Sequence, residues 1–209
     1  ERCGNRNVQR GGKGYVDCSG GIKPLEVPTG RLDPAMGDIH AFGNPHYLLD
    51  PANAVIAGAA IAGGLIRVDP ANRAHYEARL TAFRSQISSR LKRWREQLAP
   101  LAGKPIVVYH MHWVYLFKRF GLNQYGSIEP KPGVPPSPGH LQGLIARMKR
   151  DNVGTLLFET YRDRRFADRI ISQTGAKLVV VPIAVEAEAG VTTYVALMDR
   201  LVERLAGAA

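Results

Sequence analysis

Pro105-Ile106-Val107-Val108-Tyr109-His110-Met111-His112-Trp113-Val114-Tyr115-Leu116-Phe117-Lys118-Arg119-Phe120 joins a short apolar run to an amphipathic segment. A β-branched run of this length reads as a buried strand, and the Trp113–Phe120 stretch reads as the helix that returns from it. The same unit recurs toward the C-terminus. Gln124–Ile128 leads through the Pro-rich loop 132–138 to a helix at Pro138–Lys149, Thr155–Phe158 to a helix at Asp163–Thr174, and Lys177–Val181 to a helix at Thr192–Leu205. Four strand–helix units in succession predict a parallel sheet, a C-terminal (βα)4 lobe of an α/β fold.

Upstream of that lobe, Tyr76, Leu80, Phe83, Ile87, Leu91, Trp94 and Leu98 are spaced by 4, 3, 4, 4, 3 and 4 residues. One apolar stripe without internal Pro or Gly predicts a single long helix, which we read as a bridge. Asp50-Pro51 and Asp69-Pro70 each supply a capping side chain and a first-turn proline, so a buried helix is expected from Pro51 to about Arg67 and the long helix after Pro70. Residues 1–45 are rich in Gly, Pro and Asn and read as surface loops, apart from a possible strand at Ile22–Val27. The resulting division is 1–70, a partial N-terminal lobe; 71–100, the linking helix; and 101–209, the α/β lobe.

The 209 residues carry 28 Lys+Arg against 18 Asp+Glu, a formal net charge of +10, with 45% apolar residues. That composition suits a packed core and excludes a disordered chain. The basic residues concentrate on the polar side of the long helix (Arg84, Arg90, Lys92, Arg93, Arg95) with no groove-reading module around them, so no nucleic-acid partner is expected. The longest uncharged apolar run, Ala54–Ile66, has 13 residues against the ~20 of a spanning helix, so the chain is not expected to cross a membrane. Cys3 and Cys18 leave a disulfide open without demanding one.

In open α/β sheets ligands gather at the carboxyl ends of the strands. The first strand there runs into His110-Met111-His112, the third ends at Glu159, and the fourth is followed by a loop with Glu186 and Glu188. Imidazole and carboxylate at neighbouring strand ends suit a divalent ion, Zn2+ or Mn2+. A hydrogen-bonded structural histidine is the alternative. Asp38, His40 and His46 form a second cluster, and Pro45 holds His46 extended just ahead of a capped helix. Gly11-Gly12-Lys13-Gly14 lacks the preceding strand and following Ser or Thr of a phosphate loop and reads as a turn.

The segment Asn44-Pro45-His46-Tyr47-Leu48-Leu49-Asp50-Pro51 resembles the Pro-His-x-x-Leu-Asp-Pro signature of the solute-binding proteins of zinc and manganese ABC importers. The likeness continues in order through Tyr109-His110 and Trp113, Arg119-Phe120-Gly121-Leu122, Pro135-Pro136-Ser137-Pro138, Phe158-Glu159 and Thr174-Gly175-Ala176-Lys177, over nearly all of residues 38–205. It implies two α/β lobes joined by one long helix, with His46 and His110 as the second and third protein ligands, one from each lobe. It also implies an earlier first histidine, upstream of the point where this chain begins, and an Asp after the last strand, where Val181-Pro182 stands. The resemblance therefore implies an N-terminally truncated member with two of four ligands, and Glu159, His112, Glu186 or Glu188 as replacements for the carboxylate.

The resemblance thus leads us to expect a monomeric, non-enzymatic protein of the periplasm or extracytoplasmic envelope. Its expected role is to capture Zn2+ or Mn2+ through His46, His110, Glu159 and His112 and deliver the ion to a membrane permease. Two other readings remain: a metal-dependent hydrolase with Glu159 as general base beside an ion on His110 and His112, and a metal-free interaction module or non-functional fragment.

Overall fold

The computed structural model describes residues 3–30, 37–38 and 40–208. Of the stretch read as loops, residues 1–2, 31–36 and 39 lie outside the described residues. Six α-helices and four strands are seen among the described residues: α1 Pro51–Val68, α2 Arg73–Leu98, β1 Pro105–Val108, α3 Val114–Phe120, β2 Asn123–Ser127, α4 Pro138–Arg150, β3 Thr155–Glu159, α5 Arg165–Thr174, β4 Lys177–Val181 and α6 Tyr194–Ala206. The chain divides into two compact units, residues 1–23 with 47–92 and residues 24–46 with 93–209.

In the first unit, Asp50 caps α1 by accepting the Ala52 N–H at 2.9 Å, as its position ahead of Pro51 predicts. Small residues make the buried face of α1: Ala54, Ala57, Ala62 and Gly64 are covered, whereas Ile56, Ile61, Leu65 and Val68 are exposed. The expectation of a wholly buried helix fails for this reason. Gly64 is required by close approach, since a Cβ there would sit 2.2 Å from a Val16 methyl. Arg67 fastens the N-terminal loops to the same helix through the carbonyls of Lys13 and Tyr15, at 2.9 and 2.8 Å. The expected strand at Ile22–Val27 is absent, and Cys3 and Cys18 are both free. By length and composition α1 is apolar enough to cross a membrane, with a mean hydropathy of 1.4 over its 18 residues. The 13-residue count missed this because it stopped short of Asn53 and Arg67, both of which lie in the helix.

The 26 residues of α2 form one unbroken helix, about 39 Å long at ~1.5 Å per residue. All seven stripe residues are buried or half-buried, and apart from Arg90 every other position of the helix is exposed. Asp69 differs from expectation. It caps nothing through its side chain, which instead accepts from Asn72 Nδ2 and the Tyr76 hydroxyl. From Arg93 onward the helix belongs to the second unit, where Arg93 and the Trp94 indole both donate to Asp199 Oδ1 of α6.

The second unit holds a four-stranded, all-parallel sheet in the order β2-β1-β3-β4. The strand bounds match the sequence reading within one or two residues, and β3 is buried along its whole length. Between them, β1 and β3 are the inner strands, and the chain leaves β1 toward β2 on one side before returning to β3 on the other. The crevice at the carboxyl ends of β1 and β3 is thus the topological switch point where this architecture places ligands.

Candidate metal centre

Register decides what meets at the switch point. Val108 pairs with Leu157 of β3 and with Ser127 of β2, and the β2 side runs on through Ile128 N–H to Val108 O and Glu129 N–H to Tyr109 O. His110 and His112 therefore leave the end of β1 with Glu129 on one flank and Glu159, the last residue of β3, on the other. Both carboxylates are used. Glu129 Oε2 is 2.6 Å from His110 Nδ1, and because a carboxylate only accepts, the ring carries its proton on Nδ1 and keeps Nε2 as a donor to a metal. Glu159 accepts the Trp113 indole N–H at 3.2 Å and lies 3.1 Å from His112 Nε2.

His46 arrives on the segment 24–46, which is stitched to the turn after β1 by one amide side chain. Asn44 Oδ1 accepts the His46 N–H at 3.0 Å, and Asn44 Nδ2 donates to Met111 O at 2.9 Å and to Glu26 Oε2 at 2.8 Å. The Tyr115 hydroxyl adds a second bolt, donating to Asn44 O and accepting the Leu25 N–H. His46 consequently belongs to the same compact unit as His110, where the resemblance had implied one ligand from each lobe.

His46, His110 and His112 each offer a ring nitrogen, and these three atoms lie within 4.8 Å of one another. Ring centroids are 5.0 to 5.7 Å apart. Zn–N bonds of ~2.0–2.1 Å would draw nitrogens so spaced toward one another. Glu159 is not in this group; it stands against His112 and is fully buried. Among the described residues, the buried side-chain atoms lacking a hydrogen-bond partner are His112 Nε2, Glu159 Oε2 and Arg162 Nε. These atoms meet one another at ion-pair distance, His112 Nε2 facing Glu159 Oε1 at 3.1 Å and Arg162 Nε facing Glu159 Oε2 at 3.6 Å.

The electrostatics favour neutral donors. Burial, then the neighbouring His112, His110 and His40, lower the His46 pKa from 6.5 to about 4. Burial also lowers that of His112, against the pull of Glu159. A cavity of about 720 Å³ opens onto the three histidines, walled also by Glu26, Asp38, His40, Lys131, Tyr161 and Arg162. Asp38 and His40 thus line the cavity without joining the nitrogen group. The two carboxylates after β4 do not reach it either. Glu188 pairs with Arg200 and Arg204 of α6, and Glu186 is an exposed turn residue at φ 66°. Sequence reasoning overlooked Glu129, Asn44 and Tyr115; the signal for Glu129 was its position just past β2, at the same sheet edge as the other strand ends.

The chain is similar to proteins of known name and structure. The high-affinity zinc uptake system protein ZnuA of Brucella abortus is 27% identical over 161 residues, 77% of this chain and 48% of its own length. Its Bacillus subtilis namesake is 28% identical over 138 residues, 66% of this chain and 43% of its own length. The chain spans about half the length of these curated relatives. A crystal structure of ZnuA superposes with a TM-score of 0.75 at 27% identity, covering 92% of this chain and 68% of that one. A zinc-bound ZnuA carrying a 138–173 deletion gives 0.74 at 28% identity, with the same coverage. Residues 5–208 match the family described as zinc-uptake complex component A, periplasmic (ZnuA), and the chain belongs to that family.

Proposed function

We propose that this chain captures Zn2+ outside the cytoplasmic membrane and hands it to the permease of an ABC importer, with His46, His110 and His112 as the protein ligands. The observation that carries this is the convergence of three ring nitrogens within 4.8 Å at the sheet's switch point. An all-nitrogen donor set suits zinc better than the harder manganese, which asks for carboxylate oxygen. A zinc ion on three imidazoles keeps a fourth tetrahedral position for water or a further side chain. Glu159 serves this reading as the partner that orients His112. Its complete burial, and its absence from the cavity wall, argue against a general base in contact with water.

The relatives named for zinc uptake, and a zinc-binding lipoprotein of Streptococcus pneumoniae at 26% identity, support the same cargo and an envelope location. The test is calorimetric titration of chelator-stripped protein at neutral pH with Zn2+ and separately with Mn2+. Saturable binding of one Zn2+, weaker binding of Mn2+ and loss of both on His110→Ala are expected. A flat Zn2+ titration would remove the reading.

A further inference from the structure

Arg162 lies between the two carboxylates that back the histidines. Its backbone N–H closes a turn onto the carbonyl of Glu159 at 3.2 Å, which brings the side chain back over the strand ends. Nη1 is 3.3 Å from Glu129 Oε1, and Nε is 3.6 Å from Glu159 Oε2. The guanidinium is 4.6 Å from the ring centre of Tyr109 and 4.9 Å from that of Tyr161. We propose that Arg162 is a positioning residue for the metal centre: one guanidinium fork that ties Glu129 to Glu159 and through them holds the His110 and His112 rings as a set. This rests on the metal-capture reading.

The physical need is plain from burial. Glu129 is 5% exposed and Glu159 0%, and carboxylates so enclosed require a countercharge with hydrogen-bonding capacity. A planar guanidinium can face both at once; a lysine ammonium is a point charge without that fork. Contact with two tyrosine rings opposes movement of the fork toward one carboxylate at the expense of the other. His110 and His112 flank Met111 and would otherwise orient independently; each takes its orientation from one of the tied carboxylates. Each carboxylate also has a contact of its own, Gly133 N–H for Glu129 and the Trp113 indole for Glu159, so loss of Arg162 should loosen the pair without displacing either from the core.

Charge alone argues the opposite outcome, since a cation beside the site repels a dication and its removal would tighten binding. The sign of the effect therefore decides. Zn2+ affinity of the stripped chain is measured by competition with a chromophoric chelator for wild type, Arg162→Gln, Arg162→Lys, Glu129→Gln and the Arg162→Gln/Glu129→Gln double variant, with thermal melts alongside. Arg162→Gln is expected to bind about 10- to 100-fold more weakly, as for other partners that orient a metal ligand. Arg162→Lys should stay weaker than wild type, and the Arg162→Gln loss should shrink in the Glu129→Gln background. Without metal, the ring 15N resonances of His110 should report a single Nδ1–H tautomer in wild type and a mixture in Arg162→Gln. Unchanged or tighter binding, or full recovery with Lys, overturns the positioning role while leaving metal capture intact. A wild-type chain that binds no Zn2+ overturns both. If Arg162→Gln fails to fold, the Lys affinity and its His110 tautomer spectrum decide alone.

Discussion

At His46 burial and neighbouring positive charge act in the same direction, and the imidazole is held down to about 4 from 6.5. Between those values the unfolded chain binds a proton that the folded chain refuses, so stability is complete above pH 6.5 and is lost as pH falls toward 4. His112, lowered chiefly by burial, adds to the same slope. Urea denaturation of the metal-stripped protein should therefore show stability falling through that window. His46→Asn should reduce the slope by up to about one proton, and an unchanged slope would contradict the assignment. The same lowering prepares the ring as a ligand, because protons compete with Zn2+ at His46 only under acid conditions. At His110 the partner is Glu129, 2.6 Å from Nδ1. Glu129→Gln keeps the shape but weakens the acceptor, and calorimetry should register a loss of Zn2+ affinity of about 10- to 100-fold. Equal affinity would mean that the carboxylate does not tune the ring.

Elements differ in how plainly their sequence announces them. The α2 stripe is explicit: seven apolar residues at helical spacing become the covered face of one helix, because nothing in Arg73–Leu98 interrupts it. Trp94 is fully buried, with its indole N–H on Asp199, so Trp94→Ala should cost about 3–5 kcal/mol, while Arg84→Ala on the exposed side should stay within about 0.5 kcal/mol. Denaturant titration of the pair checks the burial pattern, and similar losses in both would contradict it. Strands β1 and β4 were as legible as the helix, since β-branched runs such as Ile106-Val107-Val108 and Val179-Val180-Val181 bounded by Gly or Pro have few other uses. His110 and His112 could be named from the sequence because they directly follow such a run. Glu129 could not. Its meeting with His110 depends on β2 lying beside β1 in a register that no local pattern encodes, and the Pro-rich loop around it reads as a connection. Nor does local pattern tell that segment 24–46 joins the C-terminal unit, through the side-chain bonds of Asn44 and Tyr115 and the Asp38 N–H to Pro132 O.

For the molecule as a whole, the division into units separates where Zn2+ should be felt from where it should not. All three histidines belong to the unit of residues 24–46 and 93–209, whereas α1 and most of α2 belong to the other. A ligand that binds only the folded state stabilises it by RT ln(1 + [L]/Kd), about 2.7 kcal/mol when free ligand is 100 times Kd. That free energy enters through contacts with His46, His110 and His112, so it acts on the opening reactions that separate those side chains. Opening of segment 24–46 breaks the Asn44 bridge to Met111 and removes His46 from the site. Opening at the end of β1 removes the other two. Hydrogen exchange with and without saturating Zn2+ should accordingly show slower exchange at the amides of His46, the β1 strand and the turn through Trp113, with rates in Pro51–Val68 unchanged. Zn2+ protection spread equally over α1 would show that α1 opens only together with the site, against the separation into units. Protection absent from residues 44–46 but present after β1 would remove His46 from the ligand set.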